Sequence, residues 1–145
     1  MKATILTSVF AVLVSVTSVS AKDGKVYSNV ESNESGVKKE LIVLDSKTSA
    51  PLNQNVYIYD VDGNIQEKVV SKWIEDKGWV STAKYEYTYN QQGKVANLTY
   101  TKWDKKSDTW AADSQLFVHV YDESSELIAV NELSVNNANG LISQK

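Results

Sequence analysis

The sequence predicts an all-β fold, an antiparallel meander of about six to eight strands made of tandem β-hairpin repeats. Three observations carry this. An aromatic and β-branched run recurs at an offset of 30 residues, turn residues separate the runs at regular intervals, and no stretch of ten or more residues after residue 21 keeps a convincing helical period.

The repeat is explicit. Val56-Tyr57-Ile58-Tyr59-Asp60-Val61-Asp62-Gly63-Asn64-Ile65 aligns with Glu86-Tyr87-Thr88-Tyr89-Asn90-Gln91-Gln92-Gly93-Lys94-Val95, and the same offset carries Lys72-Trp73 onto Lys102-Trp103. An offset of 31 carries Trp79 onto Trp110. A degraded third copy places His119-Val120-Tyr121-Asp122 on Tyr87-Thr88-Tyr89-Asn90, Leu127 on Val95, and Val135 where a tryptophan stood. A half-unit with Val26-Tyr27 in one strand and Leu41-Ile42-Val43-Leu44 in the next precedes them. Gly63 and Gly93 suit three-residue hairpin loops whose last member has positive φ, a conformation that penalises a Cβ. Ser125 takes that place in the third copy, which predicts a looser hairpin. The spacing from Trp110 to Tyr121 exceeds that from Trp79 to Tyr89 by one residue, so a β-bulge is expected near Asp113 to Gln115.

Residues 1–21 read as a signal peptide. Lys2 precedes a short, mostly apolar run, and Val19 and Ala21 stand where a signal peptidase inspects the chain. The run is shorter and more hydroxylated than a spanning helix requires, and no Cys follows it to carry a lipid. Cleavage after Ala21 leaves 14 Lys against 18 acidic residues, a formal charge of −4. Residues 22–36 are polar and are expected to form a loosely ordered leader with at most a short strand. Residues 37–145 form a single all-β repeat domain. The product is expected in the periplasm or secreted, with no stable membrane span after cleavage.

Strand alternation then assigns faces. If Asp60 pairs with Asn64 and Trp73 with Trp79, Tyr57, Tyr59, Ile65, Glu67, Val69, Trp73, Trp79, Tyr85, Tyr87 and Tyr89 share one face, which Val95 and Trp103 join. The other face carries Val56, Ile58, Lys68, Val70, Lys72, Val80, Lys84, Glu86, Thr88, Leu98 and Lys102. Tyr57, Tyr59, Trp73, Trp79, Tyr85, Tyr87, Tyr89, Trp103 and Trp110 therefore form a candidate ligand face, since such rings stack on sugars or peptides while keeping a polar atom free. The same rings are equally the material of a core, and the scarcity of Leu and Ile after residue 21 favours that use. Trp79 and Trp110, beside the corners, are expected at the rim.

Composition excludes much chemistry. The 145 residues carry 15 Lys, no Arg, 18 Asp plus Glu, one His and no Cys, with a net charge of −3. A basic footprint for nucleic acid is missing, as are thiol catalysis, Cys-ligated metals and disulfides. No cofactor and no metal is expected. Asp60-x-Asp62-Gly63-Asn64 has the look of a calcium loop's start but lacks its spacing and terminal Glu, and fits turn capping. His119 occupies a sheet-face position. Glu67 and Glu86 fall on opposite faces in this register, so they make a poor glycosidase pair. The lysines serve as solvated, edge-protecting charges, and an uncovered sheet edge offers strand addition to a partner.

The signal peptide, the paired Tyr-x-Tyr-Asp/Asn-x-x-Gly hairpins and the Lys-Trp-x(5 or 6)-Trp corners together resemble a family of short exported proteins of unknown function from anaerobic gut bacteria. The turns are also distantly similar to the tyrosine–aspartate repeats that build β-sheet shells in large secreted toxins, although the copies here are too few for a shell. The resemblance implies location and shape, and no catalytic residues. The expected function is a non-enzymatic exported binding or structural module, using an aromatic sheet face or a free edge to meet a glycan, peptide or envelope protein. The alternative is a small carboxylate-dependent hydrolase acting on glycans.

Overall fold

Three turns share one chemical plan. In the computed structural model, which describes residues 12–13 and 24–144, Asp60, Asn90 and Asp122 each accept two backbone N–H bonds through Oδ1, from Asp62 and Asn64, from Gln92 and Lys94, and from Ser124 and Glu126. Each also closes the turn through its own backbone, to Asn64, Lys94 and Glu126. A short side-chain acceptor at the first position thus fixes the loop without any tertiary support. Gly63 and Gly93 have φ of 84° and 73°, and Ser125 takes the same left-handed conformation at 61°. The third hairpin is therefore not looser: local hydrogen bonds hold Ser125 where glycine sits in the other copies.

Between such turns the alternating runs form β1 (Val12–Leu13), β2 (Gly24–Asn33), β3 (Gly36–Asp45), β4 (Pro51–Tyr59), β5 (Ile65–Ile74), β6 (Gly78–Tyr89), β7 (Val95–Asp104), β8 (Thr109–Tyr121), β9 (Leu127–Asn136) and β10 (Leu141–Gln144). They make one antiparallel sheet in chain order. The expected signal peptide lies outside the described residues except for β1, which pairs with Val30 and Asn29. Val26 and Tyr27 face Val43 and Ile42, so the half-unit exists.

The strand number exceeds the expected six to eight, and part of the excess is the leader. Residues Gly24–Asn33 form a full strand, paired with β3 along its whole length. A second layer is what would demand an apolar strand, and none is present among the described residues. There, substantial contacts join only strands adjacent in the sheet, so a serine- and asparagine-rich strand needs only its backbone partners. Gly36 opens β3 at φ 139°, where an added Cβ would meet the Tyr59 carbonyl oxygen at 2.0 Å.

Bulges recur with the repeat. Tyr59 pairs with Ile65 but Ile58 with Glu67, Tyr89 with Val95 but Thr88 with Asn97, and Tyr121 with Leu127 but Val120 with Ala129. Gln66, Ala96 and Ile128 are thus extra residues at one place in three hairpins. A further irregularity makes Thr82 extra, since Val70 meets Ala83 while Ser71 meets Ser81. The one expected from the Trp110–Tyr121 spacing spans residues 111–113, between the pairs Thr101–Ser114 and Trp103–Trp110. Each single insertion reverses the alternation of the strand that carries it.

That reversal corrects the face assignment. Tyr57 lies opposite Lys68, not Glu67, and Tyr85 opposite Lys68. One face carries Tyr57, Tyr59, Tyr85, Tyr87, Tyr89, Tyr100 and Tyr121, with Ile65, Lys68, Val70, Lys72, Val80, Val95, Leu98 and Lys102 beside them. The opposite face carries all four tryptophans, together with Val56, Ile58, Glu67, Val69, Lys84, Glu86 and Thr88. No conventional interior forms among the described residues. Ala83, at 8% exposure, is the one buried apolar side chain, and the other side chains below a tenth exposed are Ser71, Thr101 and Ser114. Stability must come from the backbone ladders and from cross-strand pairs, each contributing roughly 0.2–1 kcal/mol.

Candidate functional site

The tyrosine face is ordered by one row that crosses the strands. Lys39, Tyr57, Lys68, Tyr85, Tyr100, Gln115 and Ser134 are successive register partners from β3 to β9. Lys68 Nζ lies 5.5 Å from the Tyr57 ring centroid and 5.4 Å from that of Tyr85. An ammonium held between two ring faces gains from both quadrupoles. Tyr85 and Tyr100 follow at 5.1 Å with their planes tilted by 43°, and Tyr57 stacks on Tyr59 at 6.4 Å. These rings are half-buried, and no layer of the described residues lies above them.

Burial, reinforced by Tyr85, Tyr57 and Tyr59, raises the Tyr87 phenol above its ordinary 10.0. Burial, with Tyr87 and Asp60, raises that of Tyr89. Both shifts favour the protonated phenol, and the Tyr89 hydroxyl donates to the Ile65 carbonyl oxygen. At the β7–β9 end the row meets a pocket of about 330 Å³ lined by Tyr100, Lys102, Asp113, Gln115 and Ser134, among others.

The nine candidate ring residues are accordingly split. Tyr57, Tyr59, Tyr85, Tyr87 and Tyr89 come together, whereas Trp73, Trp79, Trp103 and Trp110 form two pairs on the other face. Trp73 and Trp79 meet edge to face at 5.2 Å and 77°, Trp103 and Trp110 at 5.0 Å and 89°. Trp79 and Trp110 are half-buried and Trp73 is 40% exposed. The pairs stand at the corner end of the sheet near buried Ser71, Thr101 and Ser114, and the Thr101 and Ser114 hydroxyls bond each other at 2.7 Å. Such an arrangement closes hairpin ends.

Sequence reasoning missed Lys39, Lys68, Tyr100, Gln115 and Tyr121 as members of the tyrosine face. Tyr121 was within reach, because the repeat sets it on Tyr89. His119 lies on this face too, its Nδ1 3.3 Å from the Phe117 carbonyl oxygen.

Carboxylates behave differently from the expectation. Glu67 and Glu86 are direct cross-strand partners on the tryptophan face, not residents of opposite faces. Glu86 is engaged by Lys84 at 3.0 Å and its side chain is 45% exposed. Among the described residues no group of three or more His, Cys, Asp or Glu side chains is placed to hold a metal ion, and no helix is long and apolar enough to cross a membrane.

Neither a family model nor a curated protein matches the sequence. Solved structures with a similar chain path include a DUF3836 family protein from Bacteroides vulgatus, 21% identical over 59% of this chain and 87% of its own, with a TM-score of 0.42. A DUF3836 family protein from Parabacteroides distasonis is 14% identical over 81% of this chain and 94% of its own, at 0.45. A protein of unknown function from Bacteroides fragilis is 17% identical over 84% and 89%, at 0.48.

Proposed function

We propose that the protein is an exported, non-enzymatic binding module whose ligand surface is the tyrosine face. One observation carries the reading: seven of the eight tyrosines project from one side of a sheet that no second layer covers among the described residues. Half-buried phenols offer flat apolar area and hydrogen bonds at little conformational cost. Export rests on the residue pattern of positions 1–21. On that reading the mature chain lacks β1, and β2 becomes the sheet's edge.

Two experiments test these claims. Mass spectrometry of protein recovered outside the cytoplasm should find an N-terminus at Lys22, and an unprocessed cytoplasmic chain would refute export. Glycan and peptide arrays probed with residues 22–145 should show retention that Tyr57→Ala and Tyr85→Ala abolish and that Trp73→Ala leaves intact. Retention indifferent to both tyrosines would refute the site.

The hydrolase alternative gains one point from the structure, since Glu67 and Glu86 are neighbours. It loses more: Glu86 is tied to Lys84, its carboxylate stands in solvent, and the pocket at Tyr100 opens on the other face.

A further inference from the structure

Charge is sorted between the two faces. Within the strands, leaving aside the carboxylates that cap turns, the tyrosine face from β3 to β7 carries Lys39, Lys68, Lys72 and Lys102 and no Asp or Glu. Its mid-strand carboxylates are Asp113 on β8, which lines the far side of the pocket at Tyr100, and Glu132 on β9. The opposite face holds Glu31, Glu40, Glu67 and Glu86, and there two of the three strand lysines among the described residues are paired, Lys38 with Glu31 at 3.9 Å and Lys84 with Glu86 at 3.0 Å, while Lys25 on β2 is not. Among the described residues no ion pair engages Lys39, Lys68, Lys72 or Lys102. A protein that is acidic overall has thus placed a basic strip on the side that carries its tyrosines.

The strip also has a spacing. Lys39 and Lys68 occupy strands two apart, as do Lys68 and Lys102, so each step is about 10 Å across the sheet. Tyr57 and Tyr85 fill the strands between, Tyr100 stands beside Lys102 on β7, and the pocket bounded by these two ends the row. Rings alternating with cations match a chain polymer whose flat apolar rings alternate with anionic groups.

We infer that the tyrosine face binds an acidic polysaccharide laid across the strands, its carboxylate or sulfate groups on Lys39, Lys68 and Lys102, its sugar rings on Tyr57, Tyr85 and Tyr100, and one sugar seated in the pocket. This rests on the tyrosine face being the ligand surface and adds the class of ligand. A second copy docked face to face is disfavoured, because it would set lysine rows of one sign against each other.

Affinity electrophoresis of residues 22–145 through gels holding polygalacturonate, chondroitin sulfate, dextran or poly-glutamate tests the inference. Retardation is expected with polygalacturonate or chondroitin sulfate and is expected to weaken with salt. Lys68→Gln should weaken it roughly tenfold and Tyr85→Ala at least as much, whereas Lys38→Gln on the other face should change nothing. Thermal unfolding of each variant checks that the sheet persists, and Lys39→Gln supplies a second lysine should Lys68→Gln fail to fold. Retardation by dextran alone, or by poly-glutamate as strongly as by the acidic glycans, overturns the inference while leaving the ligand face intact. No retardation by any probe, or a dimer that protects Tyr85 from modification, overturns both.

Discussion

Tyr89 donates its hydroxyl to the carbonyl oxygen of Ile65 at 2.7 Å, and one repeat later Tyr121 does the same to Val95 at the same distance. The reason lies in the bulges. The β5–β6 ladder ends at Glu67 and Glu86, and the extra residue Gln66 turns Ile65 away from it. Tyr89 reaches across from β6 and closes the gap. The β7–β8 ladder ends likewise at Asn97 and Val118, with Ala96 as the extra residue. A half-buried carbonyl left without its donor costs about 1 kcal/mol net. Tyr89→Phe and Tyr121→Phe should each destabilise by that amount in urea melts. The double variant should be additive within about 0.5 kcal/mol, because the two sites share no partner. A cost near zero for both would mean that water satisfies these carbonyls as well.

Ser125 holds φ 61° in a turn whose other two copies use glycine. Its N–H donates to the Asp122 carbonyl at 3.0 Å, as Gly63 does to Asp60 at 3.1 Å. A Cβ in the left-handed region costs about 1–2 kcal/mol, and the added freedom of glycine in the unfolded chain returns part of it. Ser125→Gly should therefore stabilise by about 0.5–1 kcal/mol, and Gly93→Ser should destabilise by a similar amount. Equal melting temperatures for Ser125→Gly and the native chain would show that Ser125 relieves its strain through contacts glycine cannot make.

Asp60 supplies a pH dependence. Its carboxylate accepts from the Asn64 and Asp62 backbone N–H groups at 2.8 and 3.0 Å and from the Gln66 amide at 2.8 Å. The Asn64 N–H is the chief cause holding its carboxyl below the ordinary 3.8, and partial burial opposes it. The charged form is the one the fold favours. Stability from this group is then complete above the unfolded value and is lost as pH falls through the lowered folded one. Asp45, bound first by the Thr48 N–H, and Asp104, bound first by the Ser107 hydroxyl, shift in the same direction. Asn90 makes the same turn without a charge. Asp60→Asn should keep the hairpin at neutral pH and flatten the fall of melting temperature between about pH 5 and pH 2. Parallel curves for variant and native protein would exclude the linkage.

The hairpins were legible because their signals are local: an Asp or Asn, two residues, a glycine, one polar residue, then a β-branched residue. The Trp73–Trp79 pairing and the half-unit at Val26 were legible for the same reason. Face assignment failed because it propagates. One unnoticed insertion, Gln66 or Thr82, inverts every later residue of the strand, so Tyr57 and Trp73 were placed together although they point apart. The triplicate position of Gln66, Ala96 and Ile128 shows that the bulge belongs to the turn itself, yet these residues share no chemical type that would announce it. The leader was misjudged on a premise about burial. Val26, Val30 and Tyr27 are too few for a core strand, but in a one-layer sheet an edge needs only a backbone partner. Lys39 and Lys68 entered the candidate site only through register, since nothing local in the sequence separates a lysine on the tyrosine face from Lys84 on the other.

Trp103 and Trp110 offer a test of what stands in for a core on the tryptophan face. Their rings meet edge to face at 5.0 Å, and Lys84 Nζ lies 5.3 Å from the Trp110 centroid. Nearby on the same face, the Thr101 and Ser114 hydroxyls are bonded at 2.7 Å and are 3% and 4% exposed, with the Asn137 amide donating to Ser114 at 2.7 Å. A buried polar network of this kind is stable only if water is kept from competing for it. The indoles are the bulky groups beside it, so removing either should both lose a ring contact and wet the hydroxyls. A double-mutant cycle of Trp103→Ala and Trp110→Ala should give a coupling of about 0.5–1.5 kcal/mol from the ring pair. Hydrogen exchange at the amides of Thr101 and Ser114 should rise in either single variant and no further in the double. If the two substitutions are additive and those amides stay protected, the pair is surface decoration, and the backbone ladder alone carries the corner.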